Sequence, residues 1–118
     1  MRSNSLARFI THYRKAKELR EGNLSDYLVF TALAMECFQA VNSLIEIGER
    51  YVVGLGRYPA TYSDIFQIVY EEGKIGREEL MAMKRLIFLR NLIAHEYYRI
   101  TEEELRGRKL KFVLFESG

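Results

Sequence analysis

One proline, one cysteine, two histidines and no tryptophan are unusually few for the 118 residues of this chain. A lone cysteine excludes an intramolecular disulfide framework and any cysteine-rich zinc site. Cys37 therefore reads as a small buried apolar side chain. With Pro59 the only proline, long stretches are free to be helical. No charge sign dominates either: 18 basic residues against 16 acidic ones give a formal charge of +2. That balance excludes nucleic-acid binding by bulk charge, so any RNA contact must be local. No N-terminal segment reads as a signal peptide, and no apolar run reads as long enough to span a bilayer. The expected compartment is the cytoplasm, with no membrane partner.

What remains is helical periodicity. Apolar residues make up 48% of the chain, which argues for a folded core. The length fits one domain over residues 1–118. Leu6, Phe9, Ile10, Tyr13, Ala16 and Leu19 recur at spacings of three and four, predicting an amphipathic helix from Ser5 to about Glu21. Arg8, Arg14, Lys15 and Arg20 lie in or near its wet face, His12 reads as a surface residue, and Gly22-Asn23 ends the helix. A second helix runs from Ser25 or Asp26 to Val53. Its polar residues Glu36, Gln39, Ser43, Glu46 and Arg50 form one stripe, with Asn42 and Glu49 alongside. The rest of that helix is apolar over a face wider than one core contact requires, which fits a central bundle helix or one that also meets a partner subunit.

Gly54 to Pro59 reads as a loop. Thr61 or Ser63 starts a short helix over Asp64 to Glu72, closed by Gly73. A fourth helix follows Gly76, with Glu78 and Glu79 suited to the positive end of its dipole. After Thr101 the capping-box spacing predicts a short helix, and the run Lys111 to Phe115 reads equally as an extended tail. The expected fold is therefore all-α, an up-and-down antiparallel bundle of four main helices plus a short C-terminal helix or tail. Tyr13, Tyr51, Tyr58 and Tyr62 read as core or interface aromatics.

Reactive side chains concentrate at the end of the fourth helix, in Arg90-Asn91-Leu92-Ile93-Ala94-His95-Glu96-Tyr97-Tyr98. Arg90 can hold a phosphate by a two-pronged hydrogen bond and stabilise its developing charge. His95 can take or give a proton near neutral pH. Position 99 is arginine, so no His-Glu-x-x-His metal spacing exists, and neither a metal nor another cofactor is expected. The plain alternative is that His95 caps a helix end while Arg90 pairs with Glu96 or another surface acid. On an ideal helix Tyr97 lies nearly in line with Arg90, whereas His95 lies about 140° round the cylinder. One site for all three then requires the helix to deform or end near Ala94, or a second subunit to contribute.

These residues, Arg-x4-His-x-Tyr with an Arg-Asn start and an Ala-His-Glu-Tyr core, resemble the motif of the HepT family. These are small HEPN-domain proteins encoded beside minimal nucleotidyltransferases in toxin–antitoxin pairs. The resemblance extends to Ala34-Met35-Glu36 through Ile45-Glu46-Ile47-Gly48, to Tyr58 through Phe66, and to Gly73-Lys74-Ile75, covering about residues 5 to 105. It implies a homodimer whose two motifs face one cleft, and a metal-independent endoribonuclease toxin acting on RNA with Arg90 and His95 as catalytic residues. It also implies that Tyr97 is where a cognate nucleotidyltransferase antitoxin attaches AMP. Asn91 is expected to support the site by hydrogen bonding. The rival expectation is a non-catalytic binding module that presents a nucleotide or substrate to a separate nucleotidyltransferase.

Overall fold

Three of the described helices start or stop where a side-chain cap or a glycine turn satisfies orphaned backbone groups. The computed structural model describes residues 2–96, with side chains for residues 4–95. Over that span the chain forms α1 (Arg2–Arg20), α2 (Tyr27–Gly54), α3 (Tyr62–Glu71) and α4 (Arg77–Glu96). No strand occurs among the described residues. The all-α bundle is as expected; the C-terminal helix or tail, Tyr97 and Tyr98 lie outside the described residues.

Asp26 caps α2 by accepting a hydrogen bond from the Leu28 amide at 2.8 Å. Thr61 and Asp64 form a reciprocal capping box that opens α3 two residues earlier than the apolar pattern indicates. Gly76 N–H donates to Glu79 at 2.6 Å at the start of α4. Both α2 and α3 end in Schellman turns. The Arg57 amide reaches Val52 O and the Lys74 amide reaches Val69 O, with Gly56 and Gly73 at φ +81° and +77°.

The helices pack around one core in which Leu33, Cys37 and Val41 of α2 meet Ile65 of α3 and Leu86 and Leu89 of α4. Gly48 lets α2 and α3 approach closely: a Cβ there would lie 2.8 Å from Ile65 Cγ2. Antiparallel order shows in the cross-contacts. Ser5 bonds Glu46 while His12, farther along α1, meets Glu36, farther back along α2. Likewise Tyr62 meets Arg90 and Gln67 meets Lys84.

The α1–α2 seam is more polar than the apolar pattern conveys. Ser5 is buried, donates to Glu46 at 2.8 Å and accepts from Arg50 at 2.6 Å. The Ser5 hydroxyl, then Arg8 and Arg50, hold the Glu46 carboxyl below its ordinary range. His12, read as a surface residue, is half-buried and a partner of Glu36. One reading is corrected. By length and composition α2 is apolar enough to cross a bilayer. Leu33, Ala34, Cys37, Val41, Ile45 and Val52 put part of that apolar surface into the core, while Tyr27, Leu28, Met35 and Val53 stay exposed.

Candidate active site

An open pocket of about 540 Å³ lies where α4 passes the start of α3. From α4 it takes Ile87, Arg90, Asn91 and His95; from α2, Glu49; from the loop and first turn of α3, Pro59 to Ser63. The capping box is what brings the last group in. Asp64 accepts from the Ala60 and Thr61 amides at 3.1 and 3.2 Å, which fixes the loop and sets Tyr62 as the first helical residue.

Arg90 is held on several sides. Its Nε donates to Asn42 Oδ1 at 2.7 Å and its Nη1 to Asn91 Oδ1 at 2.8 Å. Its guanidinium carbon lies 5.1 Å from the centre of the Phe38 ring and 5.0 Å from that of Tyr62. Stacking of this kind contributes about 0.5–2 kcal/mol per ring, more as water is excluded. Among the described residues no carboxylate forms an ion pair with Arg90. The surface-acid alternative for Arg90 thus has no support among the described side chains; that of Glu96 lies outside them.

His95 is exposed at the same pocket. α4 is helical through Glu96, so it neither ends nor deforms at Ala94. Arg90 and His95 line one pocket with α4 unbroken between them; the condition for a single site that also includes Tyr97 concerns a residue outside the described ones. The long arginine side chain, turned toward α2 and α3, and the pocket's width span the angle between them. Asn91 lines the same pocket and accepts from Arg90 Nη1. Tyr97, seven positions after Arg90, is outside the described residues.

Four residues at or behind this pocket escaped the sequence reading: Phe38, Asn42, Glu49 and Tyr62. A weak signal existed for two of them. Asn42 and Glu49 are polar, seven residues apart and off the main wet stripe of α2, as expected of a second polar line along that helix. Tyr62 read as a core or interface aromatic; it is 41% exposed and lies against Arg90. Tyr58, read likewise, is exposed. Cys37, as expected, is buried away from any chemistry, and burial pushes its thiol up to about 12.

Chemically, the pocket offers a fixed cation, an imidazole, a carboxylate and three hydroxyls, one of them the phenol of Tyr62. No group of three or more His, Cys, Asp or Glu side chains that could hold a metal ion occurs among the described residues. Neither the curated proteins nor the solved structures compared with the chain gave a match. A family model described as ribonuclease HepT-like matches residues 5–107, which includes every helix at the pocket and the whole of the Arg90–Tyr97 motif. The chain belongs to the HepT-like ribonuclease family.

Proposed function

We propose that the protein is a HEPN-type toxin, a metal-independent endoribonuclease whose site is the Arg90–His95 pocket. The observation that carries this reading is the convergence of a fixed, half-buried guanidinium and an exposed imidazole on one cavity. Arg90 holds the scissile phosphate and stabilises charge on its oxygens. The 2′-hydroxyl attacks the adjacent phosphorus and loses its proton to a base. The bond to the 5′-oxygen breaks, that oxygen gains a proton, and a 2′,3′-cyclic phosphate remains. His95 supplies one of the two proton transfers.

One imidazole cannot act as base and acid at once, so the reading includes a homodimer with two motifs across one cleft. Exposed apolar residues support it: Met81 and Phe88 are 41% and 56% exposed and lie on the same stripe of α4 as His95. Control is by an antitoxin nucleotidyltransferase that adds AMP to Tyr97. Tyr97 follows His95 by two residues, so an attached nucleotide brings bulk and negative charge next to the pocket and competes for Arg90. The substrate is cytoplasmic RNA.

The test is product chemistry. Purified protein with excess EDTA should cut RNA and leave 2′,3′-cyclic phosphate ends, and a single 2′-deoxy nucleotide should block cutting after it. Cleavage that ignores the 2′-deoxy substitution, or that stops with EDTA, contradicts the reading. Tight ATP binding by calorimetry without any RNA turnover would favour a non-catalytic nucleotide-binding partner.

A further inference from the structure

Two amide oxygens fix Arg90, and neither carries charge. Asn42 Oδ1, on α2, takes Nε at 2.7 Å; Asn91 Oδ1, on α4, takes Nη1 at 2.8 Å. We infer that Asn42 is a positioning residue for Arg90, and that its being an amide rather than a carboxylate leaves the guanidinium charge available to phosphate. The identity of the ligand rests on the ribonuclease reading above; the role of Asn42 rests on the geometry.

Two other arginines, Arg8 and Arg57, are held differently. Arg8 pairs with Glu46 at 2.6 Å and Arg57 with Glu71 at 3.4 Å, in both cases through a carboxylate. A carboxylate at position 42 would add the attraction of a full negative charge to the charge-assisted bond that Nε already makes with the amide. A clamp selected for stability alone would gain from that exchange. An arginine that must attract an anion would lose by it, because a carboxylate in contact cancels its charge. Two aromatic rings beside the guanidinium replace water with apolar surface, and there each uncompensated charge acts over a lower local dielectric.

The clamp also leaves the right donors over. A guanidinium has five N–H groups. The two amides engage Nε and Nη1, and Nη2 belongs to neither bond. Contacts from α2, α3 and α4 hold the side chain before any ligand arrives, so little rotamer freedom is lost on binding. The asparagine lies 48 residues before the arginine and outside the Arg-x4-His motif.

The experiment compares wild-type protein with Asn42→Asp and Asn42→Ala in binding a single-stranded oligodeoxynucleotide and in cutting RNA, with melting recorded for each. The oligodeoxynucleotide lacks the 2′-hydroxyl, so its binding reads Arg90 without chemistry. Asn42→Asp should bind about 10- to 100-fold more weakly at low salt. Its plot of log affinity against log salt should flatten by about 0.7, the value of one lost phosphate contact on a single strand. Asn42→Ala should keep the wild-type slope, because the charge remains, yet lose kcat on RNA because Arg90 is no longer held. A wild-type slope for a folded Asn42→Asp protein overturns the charge argument, and a wild-type kcat for Asn42→Ala overturns the positioning role. If Asn42→Asp fails to fold, Asn91→Asp places the same charge on the exposed amide, and its slope decides in the same way. Wild-type protein that binds the oligodeoxynucleotide but never cuts RNA removes the ribonuclease reading while leaving the slope test of Asn42 intact.

Discussion

Arg90 and His95 line one pocket even though α4, which carries both, is helical throughout and turns about 140° between them. The pocket resolves this geometry by position. Arg90 points toward α2 and α3, where Asn42 and Tyr62 receive it, while His95 stands exposed at the rim. The arginine is thus a buried-side anchor and the histidine a solvent-side group, suited to holding a ligand and to exchanging protons with it.

The difference between a guanidinium and an ammonium is the first prediction. Arg90→Lys keeps the charge but loses the planar fork that bonds Asn42 and Asn91 and stacks beside two rings. RNA cleavage should fall by about 10²- to 10³-fold, as for removal of one charge-stabilising donor. Initial rates on a fluorogenic RNA measure it, and a rate within twofold of wild type would refute the assigned role.

In the proposed function His95 contributes proton transfer, not structure. It is exposed, so His95→Ala should leave the melting temperature unchanged within a degree or so. Cleavage should drop by about 10²- to 10⁴-fold. Loss of both fold and activity in this variant would show that His95 is structural.

The capping box of α3 connects stability to the site. Thr61→Ala removes the side chain that accepts the Asp64 amide at 3.1 Å, and should cost about 0.5–2 kcal/mol. Because the same box seats Tyr62 against Arg90, cleavage should weaken along with urea stability. Normal activity in a clearly destabilised variant would separate the two.

Gly48→Ala tests the α2–α3 contact. The added methyl would sit 2.8 Å from Ile65 Cγ2 and 3.1 Å from the Phe66 ring. Overpacking of this sort costs about 1–3 kcal/mol, read as a shift in the denaturation midpoint. An unchanged midpoint would mean that the helices are not in such close contact.

Cys37 supplies the pH dependence. Burial first, then the Glu36 charge, push its thiol from an ordinary 9.0 to about 12. The neutral thiol is thereby favoured in the folded state, so this contribution is fully present below about pH 9 and is lost as pH rises toward 12. Denaturant midpoints should fall across that window and fall less in Cys37→Ala. At pH 8 the native thiol should resist a disulfide reagent that labels it at once in urea.

Much of the fold was legible because period and punctuation agree. Asp26, Gly56, Gly73 and Glu79 end or begin helices where their side chains or backbone freedom allow. Of the two candidate starts of α3, Thr61 is the one used, because Thr61 and Asp64 act together as a capping box, and Tyr62 then falls inside the helix. At the site, Arg90, Asn91 and His95 could be read from adjacency on one helix. Asn42 and Phe38 could not, since only packing of α2 against α4 brings residues about fifty positions apart together. The polarity of the α1–α2 seam was hidden for the same reason: Ser5 and His12 acquire partners only once α1 lies along α2.

The most direct test of the account is RNA cleavage in excess EDTA by the wild-type protein, Arg90→Ala and His95→Ala, with helical content followed in parallel. Wild-type protein should fragment RNA while both variants, still folded, leave it whole. Intact RNA with the wild-type protein, or equal fragmentation by all three, would contradict the claim that the pocket holding Arg90 and His95 is a ribonuclease site.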